Sequence, residues 1–145
     1  MWFARLSLVS LIALFATGAS AEPDGRYLYV LTCSGCHGMQ GAASEEGRIP
    51  ALAGSIGHYM KTPQARQFLP QAPGIMSSGL KDEQVTALIN WMVPALAGES
   101  LAAPFKPYSV DEIAGSRSSK PADFFARRRA IAAELEALGA KVSPY

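Results

Sequence analysis

Two cysteines and one histidine stand at a spacing that does chemistry. Cys33-Ser34-Gly35-Cys36-His37 reads C-x-x-C-H. On a helical turn the thiols lie three residues apart on one face, and His37 follows Cys33 by four. Both sulfurs and the imidazole can therefore meet one flat macrocycle. The thiols add to the two vinyl groups of a haem, and the imidazole takes an axial position on its iron. In a chain with two Cys and two His, this haem-attachment spacing arises by chance with a probability of roughly 4 × 10⁻⁴. Two other readings compete. A thiol–disulfide oxidoreductase sets its C-x-x-C at the start of a long helix in a βαβ unit. Here the preceding segment, Gly25 to Thr32, itself reads as helix, and no alternation of strands and helices follows. An isolated disulfide suits an exported protein but gives His37 no part.

The elements that must position these groups follow from periodicity and breakers. Asp24, after Pro23, is placed to cap a helix whose body is Gly25 to Leu31. Pro50-Ala51-Leu52-Ala53-Gly54 is an apolar turn, with Ser55 set to cap a short segment through Met60. Thr62-Pro63 reads as an N-cap with Pro at the first helical position, opening a helix to about Leu69. Pro70 and Pro73 break it, and residues 74–79 read as a loop. Asp82 to Val93 is the clearest helix, with Val85, Leu88, Ile89 and Met92 at helical spacing, Asp82 and Glu83 complementing its N-terminal dipole, and Pro94 ending it. No strand-length alternation and no internal repeat occurs, so the fold expected is all-α.

Composition narrows the class. Of 145 residues, 49 % are apolar and 17 % charged, too apolar for a disordered chain. The formal net charge is +1, which excludes the dominant basic field that gathers nucleic acid. Residues 1–21 read as a secretory signal: Arg5 in a short n-region, an apolar run from Leu6 to Ala16, and Ala19-Ser20-Ala21 before the cut. The run is shorter than the roughly 20 residues of a spanning helix. The mature chain is expected to be periplasmic and not inserted in the membrane.

With these residues in view, the segment from about 23 to 97 resembles class I c-type cytochromes. Gly25 and Tyr29 stand where that family packs a glycine and an aromatic against its last helix, and Trp91 matches the aromatic late in that helix. The resemblance implies a small haem domain of three to five helices and one covalently attached haem c, bound through Cys33 and Cys36. It makes His37 the proximal iron ligand and Pro50 the residue whose carbonyl accepts the Nδ1–H of that histidine. Lys81 stands where the family has a Ser or Thr N-cap. In the family a methionine from the loop before the last helix takes the position opposite the histidine, and Met76 matches that loop. The other candidates are Met39, on the proximal side; Met92, on the apolar face; and Met60 or His58. An open sixth position is the remaining possibility.

Beyond Gly98 the composition changes. Leu101 to Tyr108 reads as an extended strap. Ser109 and Glu112 form a capping box opening a helix to about Arg117, with Ser116 to Lys120 as linker. Pro121 to Leu138 reads as an amphipathic helix with Phe124, Ile131, Leu135 and Leu138 on one stripe and Gly139 as its stop. Residues 22–100 hold five basic and seven acidic side chains, residues 101–145 seven basic and five acidic, three of the basic ones being Arg127-Arg128-Arg129. The extension either wraps the haem domain with Phe105 and the Phe124 stripe, or docks a partner through its arginines. The chain thus divides into a signal at 1–21, a haem domain at 22–97 and an extension at 98–145. The function expected is one-electron shuttling between a periplasmic dehydrogenase-type donor and a downstream acceptor, an electron carrier and not an enzyme. The alternatives are a haem-based ligand-binding or sensor protein with an open sixth site, and a fixed cytochrome subunit of a dehydrogenase complex.

Overall fold

The computed structural model describes residues 24–44 and 48–143; the signal expected at residues 1–21 lies outside the described residues. Among the described residues every regular element is helical. Helix α1 (Gly25–Thr32) starts where Asp24 Oδ1 accepts from the N–H groups of Arg26 (2.9 Å) and Tyr27 (3.4 Å), satisfying donors that a helix start leaves bare. It passes directly into α2 (Ser34–His37) through Cys33. The Cys33 N–H donates to the Tyr29 carbonyl at 2.9 Å, and its own carbonyl accepts from Cys36 (3.1 Å) and His37 (2.9 Å).

Helix α5 (Asp82–Leu96) packs across α1. Gly25 sits at the crossing: a Cβ there would strike the Ala87 carbonyl and lie 2.6 Å from Trp91 Cβ, so the approach depends on a bare Cα. Tyr29 extends the contact, its ring centroid 5.3 Å from that of Trp91 and its hydroxyl donating to the Gly38 carbonyl at 2.7 Å. The predicted stripe of Val85, Leu88, Ile89 and Met92 is buried, together with Leu28, Tyr29 and Val93. The sequence reading ends this helix at Pro94; in the structure it runs on to Leu96 with Pro94 inside it. Pro94 is exposed and lies in the last turn, so it forfeits one ladder bond while Ala97 N–H still closes on Val93 at 3.0 Å. At the other end Lys81 supplies no side-chain cap. Its N–H instead donates to Gln84 Oε1 at 3.0 Å, the returning half of a capping box.

Thr62 caps α3 (Pro63–Phe68) as read, its Oγ1 accepting from Ala65 at 3.1 Å. Pro70 does not break the chain there, because a 3₁₀ turn (Leu69–Gln71) carries it. The segment read as a loop opens with one helical turn, α4 (Pro73–Met76), where the Ala72 carbonyl accepts from Ile75 and Met76, each at 2.9 Å. A second 3₁₀ segment spans Ile56–Met60, and Ser55 does not cap it.

The extension packs on the chain's own core. Residues 101–108 form neither helix nor strand, with Phe105 against the main core. Ser109 Oγ accepts from Glu112 at 3.2 Å to open α6 (Val110–Ser118), which passes the expected end at Arg117 by one residue and leaves only Ser119 and Lys120 of the linker read from Ser116. Helix α7 (Phe124–Ala137) begins at Asp123, which caps Ala126 at 2.9 Å, rather than at Pro121. Ile131 and Leu135 are buried with Tyr59, Ala65 and Phe68, and Phe124 stacks on Phe68 with centroids 5.0 Å apart. Leu138, read as part of the stripe, is 56 % exposed. The chain reverses at Gly139 (φ 75°), and Ala140 takes the buried place instead.

Candidate haem site

The cavity that collects the reactive side chains lies between α2, the 50–56 segment, α3–α4 and α7. Its volume is about 370 Å³, and Cys33, Cys36, His37, Pro50, Met92 and Phe124 are among its walls. Thus the two thiols and the imidazole, placed on one turn by the Cys33 junction, open into a single space. Cys33 is half-buried and Cys36 exposed. Burial raises the Cys33 thiol above its ordinary pKa, and Thr32 Oγ1, 3.4 Å from its sulfur, partly offsets this. The His37 Nδ1 is buried without a hydrogen bond of full geometry. Burial lowers the imidazole pKa, and the Pro50 carbonyl acts in the opposite sense. A neutral, donor-poor imidazole beside two thiols in a largely apolar cavity suits a flat macrocycle that brings its own metal. Among the described residues no group of three His, Cys, Asp or Glu forms a site for a bare ion.

The loop carrying Pro50 is held from both sides. The Gly41 carbonyl accepts from Leu52 (2.8 Å) and Ala53 (2.9 Å), and Gly54 donates to Leu96 at 3.0 Å. Gly41 has φ 72°, and a Cβ there would press on Ala53 N and Leu96 Cδ1, both at 3.1 Å, so this crossing also needs glycine. On the other side Ser143 Oγ accepts from Ala51 at 2.8 Å, and Ser55 Oγ accepts from Ser143 at 3.0 Å.

The candidate distal residues are scattered. Met76 ends α4 and is half-buried; its neighbours Gly74 and Ile75 line the cavity, and Met76 is not among the lining residues. Met60 has its sulfur within 3.6 Å of an Arg66 Nη1 and 3.9 Å of the Tyr108 hydroxyl, away from the cavity. His58 is held near Ser100 and Lys61, with burial lowering its pKa. Met39 is exposed, and Met92 is at once core and cavity wall.

Sequence reasoning offered the Phe124 stripe of α7 as a wrap on the haem domain and missed that Arg128 and Ser143 join it at the cavity. Phe124, Phe125, Arg128 and Ser143 all line the cavity. The periodicity held the signal: Arg128 follows Phe124 by four and precedes Ile131 by three, which puts it on the inward stripe. Of the three arginines only Arg129 is exposed, while Arg128 is buried and donates to the Ser143 carbonyl at 2.6 Å.

Comparison with known proteins agrees with this geometry. The cytochrome c family model matches residues 23–95. A cytochrome c-552 of Thermus thermophilus is 28 % identical over 133 residues, covering 78 % of this chain and 88 % of the relative. A second cytochrome c-552 of the same organism is 27 % identical over 130 residues, covering 76 % and 98 %. No solved structure gave a significant match. The family match takes in half of the chain and the whole C-x-x-C-H segment, so the chain belongs to the cytochrome c family, carrying one covalently attached haem c and transferring electrons through it.

Proposed function

We propose that the chain is an exported, periplasmic mono-haem carrier that shuttles single electrons between a dehydrogenase-type donor and a downstream acceptor. Residues 22–97 make the haem domain and residues 98–145 its extension. Cys33 and Cys36 hold the haem, His37 is the proximal ligand oriented by Pro50, and Met76 is the distal ligand. The observation that carries this reading is the opening of Cys33, Cys36 and His37 into one apolar cavity. The haem supplies a one-electron iron couple. The chain's part is to hold the imidazole in place and to exclude water with Leu52, Ile56, Leu69 and Met92, so that little has to reorganise when charge changes. A thioether opposite the imidazole closes the iron to other ligands and raises its potential.

A second reading, a ligand-binding protein with an open sixth position, draws on Ile75 and not Met76 facing the cavity. Optical spectra of the periplasmically matured protein, ferric and ferrous, with and without carbon monoxide, separate the two. A low-spin spectrum with a thioether-to-iron charge-transfer band, unchanged by carbon monoxide and lost in Met76→Ala, is the result expected. A high-spin ferric spectrum with ready carbon monoxide binding would establish the open site.

A further inference from the structure

We propose that Ser143, at the far end of the extension, is a positioning residue for the proximal histidine, its hydroxyl setting the peptide plane that carries the Pro50 carbonyl. This rests on the reading in which His37 binds the iron and Pro50 receives its Nδ1–H. The Pro50 carbonyl and the Ala51 N–H belong to one planar trans peptide unit, so they point in opposite directions. Fixing the N–H on one side aims the carbonyl on the other. Ser143 Oγ accepts from that N–H at 2.8 Å, across 92 positions of sequence. The His37 Nδ1 is buried without a full hydrogen bond, and the Pro50 carbonyl is the backbone group that acts on it. A small turn of the Pro50–Ala51 plane therefore decides how well that bond is made.

The haem domain fixes the backbone to either side of this peptide. Ser44 Oγ accepts from Ile49 at 3.1 Å, and the Gly41 carbonyl accepts from Leu52 and Ala53. Between these points the hold on Ala51 comes from the extension, outside residues 23–95 that match the family model. Ser143 is itself firmly placed. Its N–H donates to Ser55 Oγ at 3.0 Å, and its carbonyl accepts from Arg128 Nη2 at 2.6 Å. Just before it, Ala140 and Val142 pack in the cluster of Ile131 and Leu135. Hydrogen bonds in series polarise one another, so donation from Ala51 to Ser143 makes the Pro50 carbonyl the better acceptor. A stronger bond at Nδ1 makes the imidazole a stronger donor to a metal. That favours the ferric state and lowers the potential.

The test uses matured holoprotein, with covalent haem verified by mass, as wild type, Ser143→Ala, Ser143→Val and Ser143→Thr. None of these changes removes the Ser143 N–H or carbonyl, so the bonds to Ser55 and Arg128 stay available. NMR of the ferrous wild type is expected to show a slowly exchanging His37 Nδ1–H. In Ser143→Ala and Ser143→Val that proton and the Ala51 amide should exchange about five- to tenfold faster, the weight of one hydrogen bond, and the midpoint potential should rise. Ser143→Thr, with the outline of valine and a hydroxyl restored, should return both readings to the wild type. Ala and Val proteins whose potentials superimpose on that of the wild type would overturn the proposal and leave the Pro50 reading standing. So would a potential shift shared equally by the Thr and Val proteins, which would trace it to bulk and not to the hydroxyl. A wild type whose His37 Nδ1–H exchanges as freely as an open imidazole would overturn the Pro50 reading itself, and this proposal with it.

Discussion

At the scale of single residues, glycine is used here as a spacer. Gly25 lies under the carbonyl of Ala87 and beside Trp91, and the first methyl group added there must push α1 off α5. Gly25→Ala is expected to destabilise the holoprotein by about 2–3 kcal/mol, the cost of overpacking a tight crossing, read from the midpoint of guanidinium unfolding. Gly115 in α6 is the contrast: a Cβ there meets nothing within 4 Å, so Gly115→Ala should stabilise by about 0.5–1 kcal/mol through helix propensity. Equal effects at the two positions would show that the α1–α5 crossing is looser than drawn. The site was legible at this scale where chemistry is local. Cys33, Cys36 and His37 announce themselves by spacing alone, because a covalent attachment demands fixed separations. Ser55 was misread, because its apparent cap position is taken over by Ser143, a partner 88 residues away.

At the scale of elements, α6 is joined to α3 by one charged contact. Arg66 holds Glu112 through Nε–Oε1 at 2.5 Å and Nη2–Oε2 at 3.0 Å, and its guanidinium lies 3.7 Å above the Tyr108 ring. Asn90 of α5 closes the group, bonding the Tyr108 N–H at 2.7 Å and its carbonyl at 3.0 Å. The Arg66 hydrogen bonds depress the Glu112 pKa below its ordinary 4.5, with desolvation opposing. A carboxylate whose folded pKa is depressed adds stability above its unfolded pKa and loses it as pH falls through the folded one. Glu112 keeps 35 % of its side-chain surface, so the contribution is modest, about 1 kcal/mol. Glu112→Gln should therefore be less stable by that amount at pH 7, and the difference should close as pH drops below about 4.5. A gap that persists undiminished into acid would mean the contact acts by packing and not by charge. Element boundaries were legible where a cap announces them, as at Asp24, Thr62 and Ser109. They were not legible at Pro94, because a proline in the last turn breaks so little of the ladder that tertiary contacts of Val93 and Ala97 override it.

At the scale of the whole molecule, the extension and the haem domain do not have separate interiors. Helix α7 buries Ile131 and Leu135 on Ala65 and Phe68 of α3, and the same helix walls the cavity of Cys33, Cys36 and His37 through Phe124, Phe125 and Arg128. That sharing was one of the two readings the sequence left open, since the stripe on α7 states that a face is buried and not what covers it. It also makes a prediction about cooperativity. If α7 were an appendage, its loss would precede that of the haem environment, and heating would give helix loss before any change in the Soret band. With a shared interior the two signals should trace one transition. Leu135→Ala removes a fully buried side chain and is expected to cost about 2–5 kcal/mol, shifting both signals together. Leu138→Ala, at an exposed position, should leave both within about 0.5 kcal/mol of wild type. A Leu135→Ala protein that loses far-UV ellipticity at a lower temperature than its Soret band would separate the two parts, and the haem cavity would then be closed by the remaining elements alone.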